Sequence, residues 1–188
     1  MLYDDIQIKS GGFLMNNTRT NKTLMLCFTA MFMALVCLAT MVIQIPIPLG
    51  YTHLGNSVIL IAVFYFNTKY GILAGSVGSA LADLLTGYNQ WIIPTLIIKA
   101  AFAFTAAMIG KKDNKFKLLS ARTMIAVIAG MAVMVVGYTF SGALIYGMSA
   151  GLASAPGLAL EGVVNMVAFL VLGMAMNKIK LMEKLHVS

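Results

Sequence analysis

The stretch "GSVGSALADLLTGYNQWIIPTLIIKAAFAF", residues 75–104, is almost wholly apolar, yet it holds one carboxylate, Asp83, and one ammonium, Lys99. Its middle, "GYNQ", separates two apolar runs that each suit a helix. The rest of the chain repeats the pattern. Of 188 residues, 60% are hydrophobic and only 10% are charged, where a soluble domain carries roughly 25% charged residues. Such a deficit identifies lipid as the solvent. Each membrane span needs about 20 mostly apolar residues, so the chain has room for six spans with short connections and no separate soluble module.

Working outward, apolar segments fall at 23–43, 54–67, 70–87, 91–110, 122–147 and 156–177. Residues 1–22 read as an N-terminal cytoplasmic tail, 23–178 as the membrane domain and 179–188 as a C-terminal cytoplasmic tail. Lysine and arginine set the orientation. With the N-terminus inside, Lys9, Arg19, Lys22, Lys69, the 111–122 cluster, Lys178, Lys180 and Lys184 all fall on the cytoplasmic side. The outer connections "QIPIPLGYTHLG", "GYNQ" and "YGMSAGLASAP" carry none, and Lys99 is the one basic residue of thirteen left over. This asymmetry expects an all-α, multi-pass protein of six spans with both ends in the cytoplasm. Five or seven spans would scramble it. The net charge of +7 follows from the same rule and calls for no nucleic-acid partner.

Several chemistries find no support in the residues. There is no G-x-x-x-x-G-K-[ST] to cradle a phosphate, so ATP is not hydrolysed by this chain alone. Cys27 and Cys37, ten positions apart on one apolar segment, are about 15 Å apart along a helix and cannot bridge. His53 and His186 fall on opposite sides with no Cys/His cluster, so neither metal nor cofactor is expected. No nucleophile–base–oxyanion set marks an intramembrane enzyme, and no repeated ring of polar residues marks a channel.

The intramembrane polar residues carry the positive argument. Gly71, Gly75, Ser79, Asp83 and Gly87 recur every four residues, making one stripe that admits a close neighbouring helix. Asp83 lies roughly 6 Å below the outer turn and Lys99 roughly 12 Å below Trp91. A lysine stem spans that difference, so Asp83 and Lys99 are expected to pair, lowering a cost of roughly 2.5–3.5 kcal/mol for each bare charge. Glu161 follows at similar depth on the last helix, with Asn165 four residues on along the same face. These groups, with Trp91 at the interface, suggest one outward-facing pocket. The loop "IQIPIPLGYTHLGNS", bearing Tyr51, His53 and Asn56, could close over it. Tyr138 and Ser141 are further lining candidates.

At this point the residues resemble a family. Six helices with both ends inside, Ala30-Met-Phe-Met-Ala34 in the first helix, and "GYTHLGNS" followed by "GSALADLLTGYNQWIIPTLIIK" are similar to the substrate-binding S components of energy-coupling factor (ECF) vitamin transporters. The second block resembles the riboflavin-type branch, which includes members for hydroxymethylpyrimidine and related vitamins. The resemblance covers residues 23–178. It implies a cell-membrane protein that is not an enzyme, binds a vitamin from outside, and topples while docked on a transmembrane T subunit. Two partner ATPase subunits supply the energy. Ala30 and Ala34 would form the T-subunit docking face. His53, Asn56, Asp83, Trp91, Lys99, Glu161 and Asn165 are the expected substrate-binding residues. A small pyrimidine with an exocyclic amine suits Glu161 as acceptor, so hydroxymethylpyrimidine or a pyridoxine-like ring is expected. Riboflavin is the alternative and would need a larger aromatic-walled cavity.

Overall fold

The computed structural model describes residues 11–42, 44–47, 50–111 and 116–178, with side chains described from residue 22 onward and not for 45–47, 50 and 51. The expected tails at 1–10 and 179–188 lie outside the described residues. Six helices follow in order: α1 (Gly11–Met41), α2 (Gly55–Ile61), α3 (Thr68–Thr86), α4 (Ile92–Gly110), α5 (Ala121–Tyr146) and α6 (Met148–Lys178). Between α1 and α2 lies an antiparallel hairpin, β1 (Ile45–Ile47) and β2 (Gly50–Thr52), paired in the register Ile45 with Thr52.

The helix ends follow from local chemistry. Asn67, extended at φ −134°, starts α3 by accepting from the Lys69 N–H at 3.0 Å. Gly87 ends it in the left-handed region at φ +83°, and the Tyr88 N–H returns to the Asp83 carbonyl at 2.8 Å. Ser120 starts α5 by accepting from the Thr123 N–H at 3.2 Å. Gly147, at φ +95°, is the whole connection between α5 and α6.

Adjacent helices pack as α1 on α3, α3 on α4, α4 on α5 and α5 on α6, and α2 sits among α1, α3, α4 and α6. The glycine stripe does the expected work. A Cβ on Gly71 would stand 2.7 Å from the Val63 backbone nitrogen, and one on Gly75 would stand 2.7 Å from Ile59. Gly78, on a neighbouring face, approaches α1, where a Cβ would meet the Met33 carbonyl at 2.6 Å. Large apolar side chains such as Leu26, Ile97, Met108, Val136 and Leu144 point outward, as lipid-solvated helices allow.

Among the described residues, four helical stretches are long and apolar enough to cross a membrane: Lys22–Met41, Asn89–Gly110, Ala121–Tyr146 and Met148–Lys178. The expected second span is shorter than a span. α2 and the π-turn Ala62–Phe66 that continues it are apolar and buried, and together cover about 18 Å of a core about 30 Å thick. A helix apolar all round is buried by protein, and that is where this one lies.

Two further expectations are corrected. Residues 148–155, within the stretch read as an outer loop, form the first turns of α6, which runs through Pro156. Small residues in "MSAGLASAP" suggest a loop by composition, yet alanines and a leucine sustain a helix. α1 begins at Gly11, inside the expected tail. The polar run "NNTRTNKT" ends the lipid-buried part of the helix without ending its backbone hydrogen bonding.

Candidate ligand-binding site

A cavity of about 660 Å³ lies at the end of the bundle that carries the hairpin and the α3–α4 turn. Its aromatic wall comes from Tyr88, Trp91, Tyr138 and Tyr146. Trp91 stands 5.7 Å from the Tyr138 ring and 6.0 Å from the Tyr146 ring, centroid to centroid. Such spacing is that of interacting aromatic pairs and holds the indole in place. Gln90 donates to the Tyr146 hydroxyl at 2.8 Å, tying the α3–α4 turn to the end of α5.

The polar side of the cavity presents His53, Asp83, Thr95 and Glu161. Behind it a buried network fixes the acceptors. Asn56 donates through Nδ2 to Glu161 Oε1 at 2.7 Å, and its Oδ1 accepts from Lys99 Nζ at 2.6 Å. One amide therefore links an ammonium and a carboxylate from α4 and α6. The same ammonium lies 5.1 Å from the Tyr138 ring centroid, within cation–π range. His53 Nδ1 accepts from the Gly55 N–H at 3.2 Å, which leaves the imidazole proton on Nε2, 3.4 Å from Glu161 Oε1. Burial outweighs the pull of Glu161 and pushes the His53 pKa down to about 4, so the ring is neutral at physiological pH.

Asn165 has a different task from the expected one. Its Oδ1 accepts from the Ser57 N–H at 2.9 Å, and its Nδ2 donates to the His53 carbonyl at 2.6 Å and the Glu161 carbonyl at 2.9 Å. Two of these bonds hold the start of α2 and His53 just ahead of it against α6, and the third lies within α6. Asn165 stands behind the cavity and does not line it.

The expected residues thus divide. His53, Asp83, Trp91 and Glu161 line the cavity, while Asn56, Lys99 and Asn165 support it from behind. Asp83 and Lys99 make no direct ion pair among the described residues; Lys99 turns to Asn56, whose amide also holds Glu161. The reason is α2. Wedged among α3, α4 and α6, it offers Lys99 an amide carbonyl that linear depth estimates do not contain. Asp83 instead sits beside Thr95, whose Oγ1 accepts from the Tyr138 hydroxyl at 3.0 Å.

Of the two further candidates, Tyr138 lines the cavity and Ser141 does not. Unread in the sequence were Tyr88 and Tyr146, which an interfacial-aromatic reading would have found. Also unread were Ala150, Ser154 and Leu158, whose spacing of four leads to Glu161 on one helical face. Reading 147–155 as a loop hid that face. Ala30 and Ala34 are exposed on α1, away from the cavity lining.

A helical membrane bundle around an aromatic-walled, carboxylate-bearing cavity defines a membrane-embedded binder of small molecules. A family model, the ECF-type riboflavin transporter S component, matches residues 20–178, and the chain belongs to that family. It is a transporter-subunit family, not an enzyme family. An uncharacterized protein in a gap 3′ region of Pyrococcus woesei is 34% identical over 114 residues, which cover 60% of this chain and 74% of that protein.

Proposed function

We propose that the protein is the vitamin-binding S component of an ECF importer in the cell membrane. In this reading it crosses six times, the second crossing made inside the bundle by the short α2 and its π-turn, with both termini cytoplasmic, and it works with a T subunit and two ATPase subunits. Lys69, Lys111, Lys117, Arg122 and Lys178 lie at or beside helix ends away from the hairpin, and Lys22 lies in the half of α1 far from it, which supports an outward-facing cavity. The small, exposed face of Ala30 and Ala34 suits close, reversible contact with another helix, the role assigned to the T subunit.

For the substrate, the reading we favour is riboflavin. The observation that carries it is the cavity itself: about 660 Å³, walled by one tryptophan and three tyrosines. That volume falls within the roughly 300–1,000 Å³ usual for drug-sized ligands and exceeds what a single pyrimidine ring fills. The tyrosines supply the aromatic wall that a single tryptophan could not. A hydroxymethylpyrimidine or pyridoxine-like ring is the second reading, favoured by Glu161, whose carboxylate suits an exocyclic amine or hydroxyl.

Mass spectrometry of small molecules released from the purified, denatured protein separates the two. A yellow preparation releasing riboflavin supports the first, and a colourless one releasing a substituted pyrimidine or pyridine supports the second. A released compound that the protein chemically converts when added back would overturn both.

A further inference from the structure

We infer that the cavity selects its ligand by charge, accepting the vitamin without phosphate and excluding its phosphorylated form, with Asp83 as the residue that sets this discrimination. The inference rests on the vitamin-binding reading of the same cavity.

Among the described residues, two carboxylates line the cavity, Asp83 from α3 and Glu161 from α6, and no lysine or arginine does. The nearest cation, Lys99, is 1% exposed, and its ammonium is committed to Asn56 and the Tyr138 face. His53 is neutral, with its remaining proton towards Glu161. The sequence segments 43–52, 87–91 and 147–155 likewise contain no lysine, arginine or histidine. The carboxylates differ in what holds them. Glu161 Oε1 takes the Asn56 amide and faces His53. Asp83, 8% exposed, has an Oδ2 with no hydrogen-bond partner in the protein. A buried acceptor in that condition favours a ligand that brings a donor. It disfavours one that brings a second negative charge. Lys99 lies close enough to act on Asp83 but donates no hydrogen bond to it, so at an effective dielectric near 20 a phosphate about 7 Å from this carboxylate is disfavoured by roughly tenfold.

The test uses the full chain in a non-ionic detergent, with riboflavin and riboflavin 5′-phosphate as one probe pair and pyridoxine and pyridoxine 5′-phosphate as a second. Wild type should bind the unphosphorylated member of the recognised pair at least about tenfold more tightly. Asp83→Asn should narrow that ratio whatever it does to absolute affinity. Equal affinities in wild type, or a ratio unchanged in the variant, overturn the inference. If neither pair binds, the substrate reading fails, and the charge of the cavity is read without ligand. Trp91 is the sole tryptophan of the chain and lines the cavity. Iodide should then quench its fluorescence less in wild type than in Asp83→Asn, with neutral acrylamide quenching both alike. Iodide quenching that does not rise in the variant refutes the assignment. A thermal scan of Asp83→Asn, with Asp83→Ser as a second neutral variant, keeps the comparison among folded proteins.

Discussion

Replacing Asn56 by leucine would strip Glu161 and Lys99 of the amide they share. Both charges are buried, at 4% and 1% exposure, and breaking such a linked set costs roughly 3–5 kcal/mol. Asn56→Leu should therefore lower thermal stability in detergent sharply; a loss no larger than that of a lipid-facing substitution contradicts the network. Coupling should also follow the observed partners. In double-mutant cycles, Lys99→Met with Glu161→Gln should show an interaction energy of about 0.5–3 kcal/mol. Lys99→Met with Asp83→Asn should show less. His53 adds a pH dependence. Its pKa is pushed down to about 4 in the folded protein, chiefly by burial. The unfolded chain takes up the proton at ordinary histidine values near 6.5, before the folded protein does. Stability is thus complete above about pH 6.5 and falls as pH drops towards 4, by at most about 1.4 kcal/mol per pH unit. Melting temperatures across that window should lose this component in His53→Gln. A His53→Gln curve that parallels wild type contradicts a buried neutral imidazole.

Among the elements, the glycine stripe of α3 was legible because a period of four in small residues has one geometric meaning on a helix. It also permits a sharp prediction. Gly71→Ala and Gly78→Ala would press a methyl group to 2.7 Å and 2.6 Å from backbone atoms of neighbouring helices, and overpacking of this kind costs roughly 1–3 kcal/mol. Gly162→Ala meets only Met131 side-chain atoms at 3.5 Å or more and should be neutral or slightly stabilising. Equal losses in all three variants would mean that α3 is not so tightly held. Other elements resisted reading for physical reasons. The α2 segment is apolar like a span, and only its length betrays that protein rather than lipid surrounds it. The hairpin has prolines at 46 and 48, a signal against strand pairing that a three-residue ladder can bypass. The partner of Lys99 could not be read because it depends on where α2 lies in space. Residues 150, 154 and 158 carry a helical period, yet the glycines and serines around them outweighed it as a loop signal.

At the scale of the whole molecule, the basic helix ends and the basic-free cavity end support the proposed orientation across the membrane. A single cysteine at position 53 should react with an impermeant reagent added outside cells once the cavity is empty, and one at 117 should not; the reverse pattern contradicts the proposed topology. The proposed docking face, Ala30 and Ala34, lies apart from the cavity lining, so the two functions should separate. Ala30→Leu with Ala34→Leu should abolish uptake while leaving binding by the isolated protein nearly intact, because bulk on that face blocks helix approach without touching the cavity. The central claim is that the cavity binds a vitamin through Glu161, and the most direct test is ligand titration of wild type against Glu161→Gln in detergent, using the compound released from the purified protein. Loss of one charge-assisted hydrogen bond, about 1.5–3 kcal/mol, should raise the dissociation constant of the folded variant roughly 10- to 150-fold, measured at a temperature where its lower thermal stability still leaves it folded. A folded Glu161→Gln that binds as tightly as wild type would contradict the account.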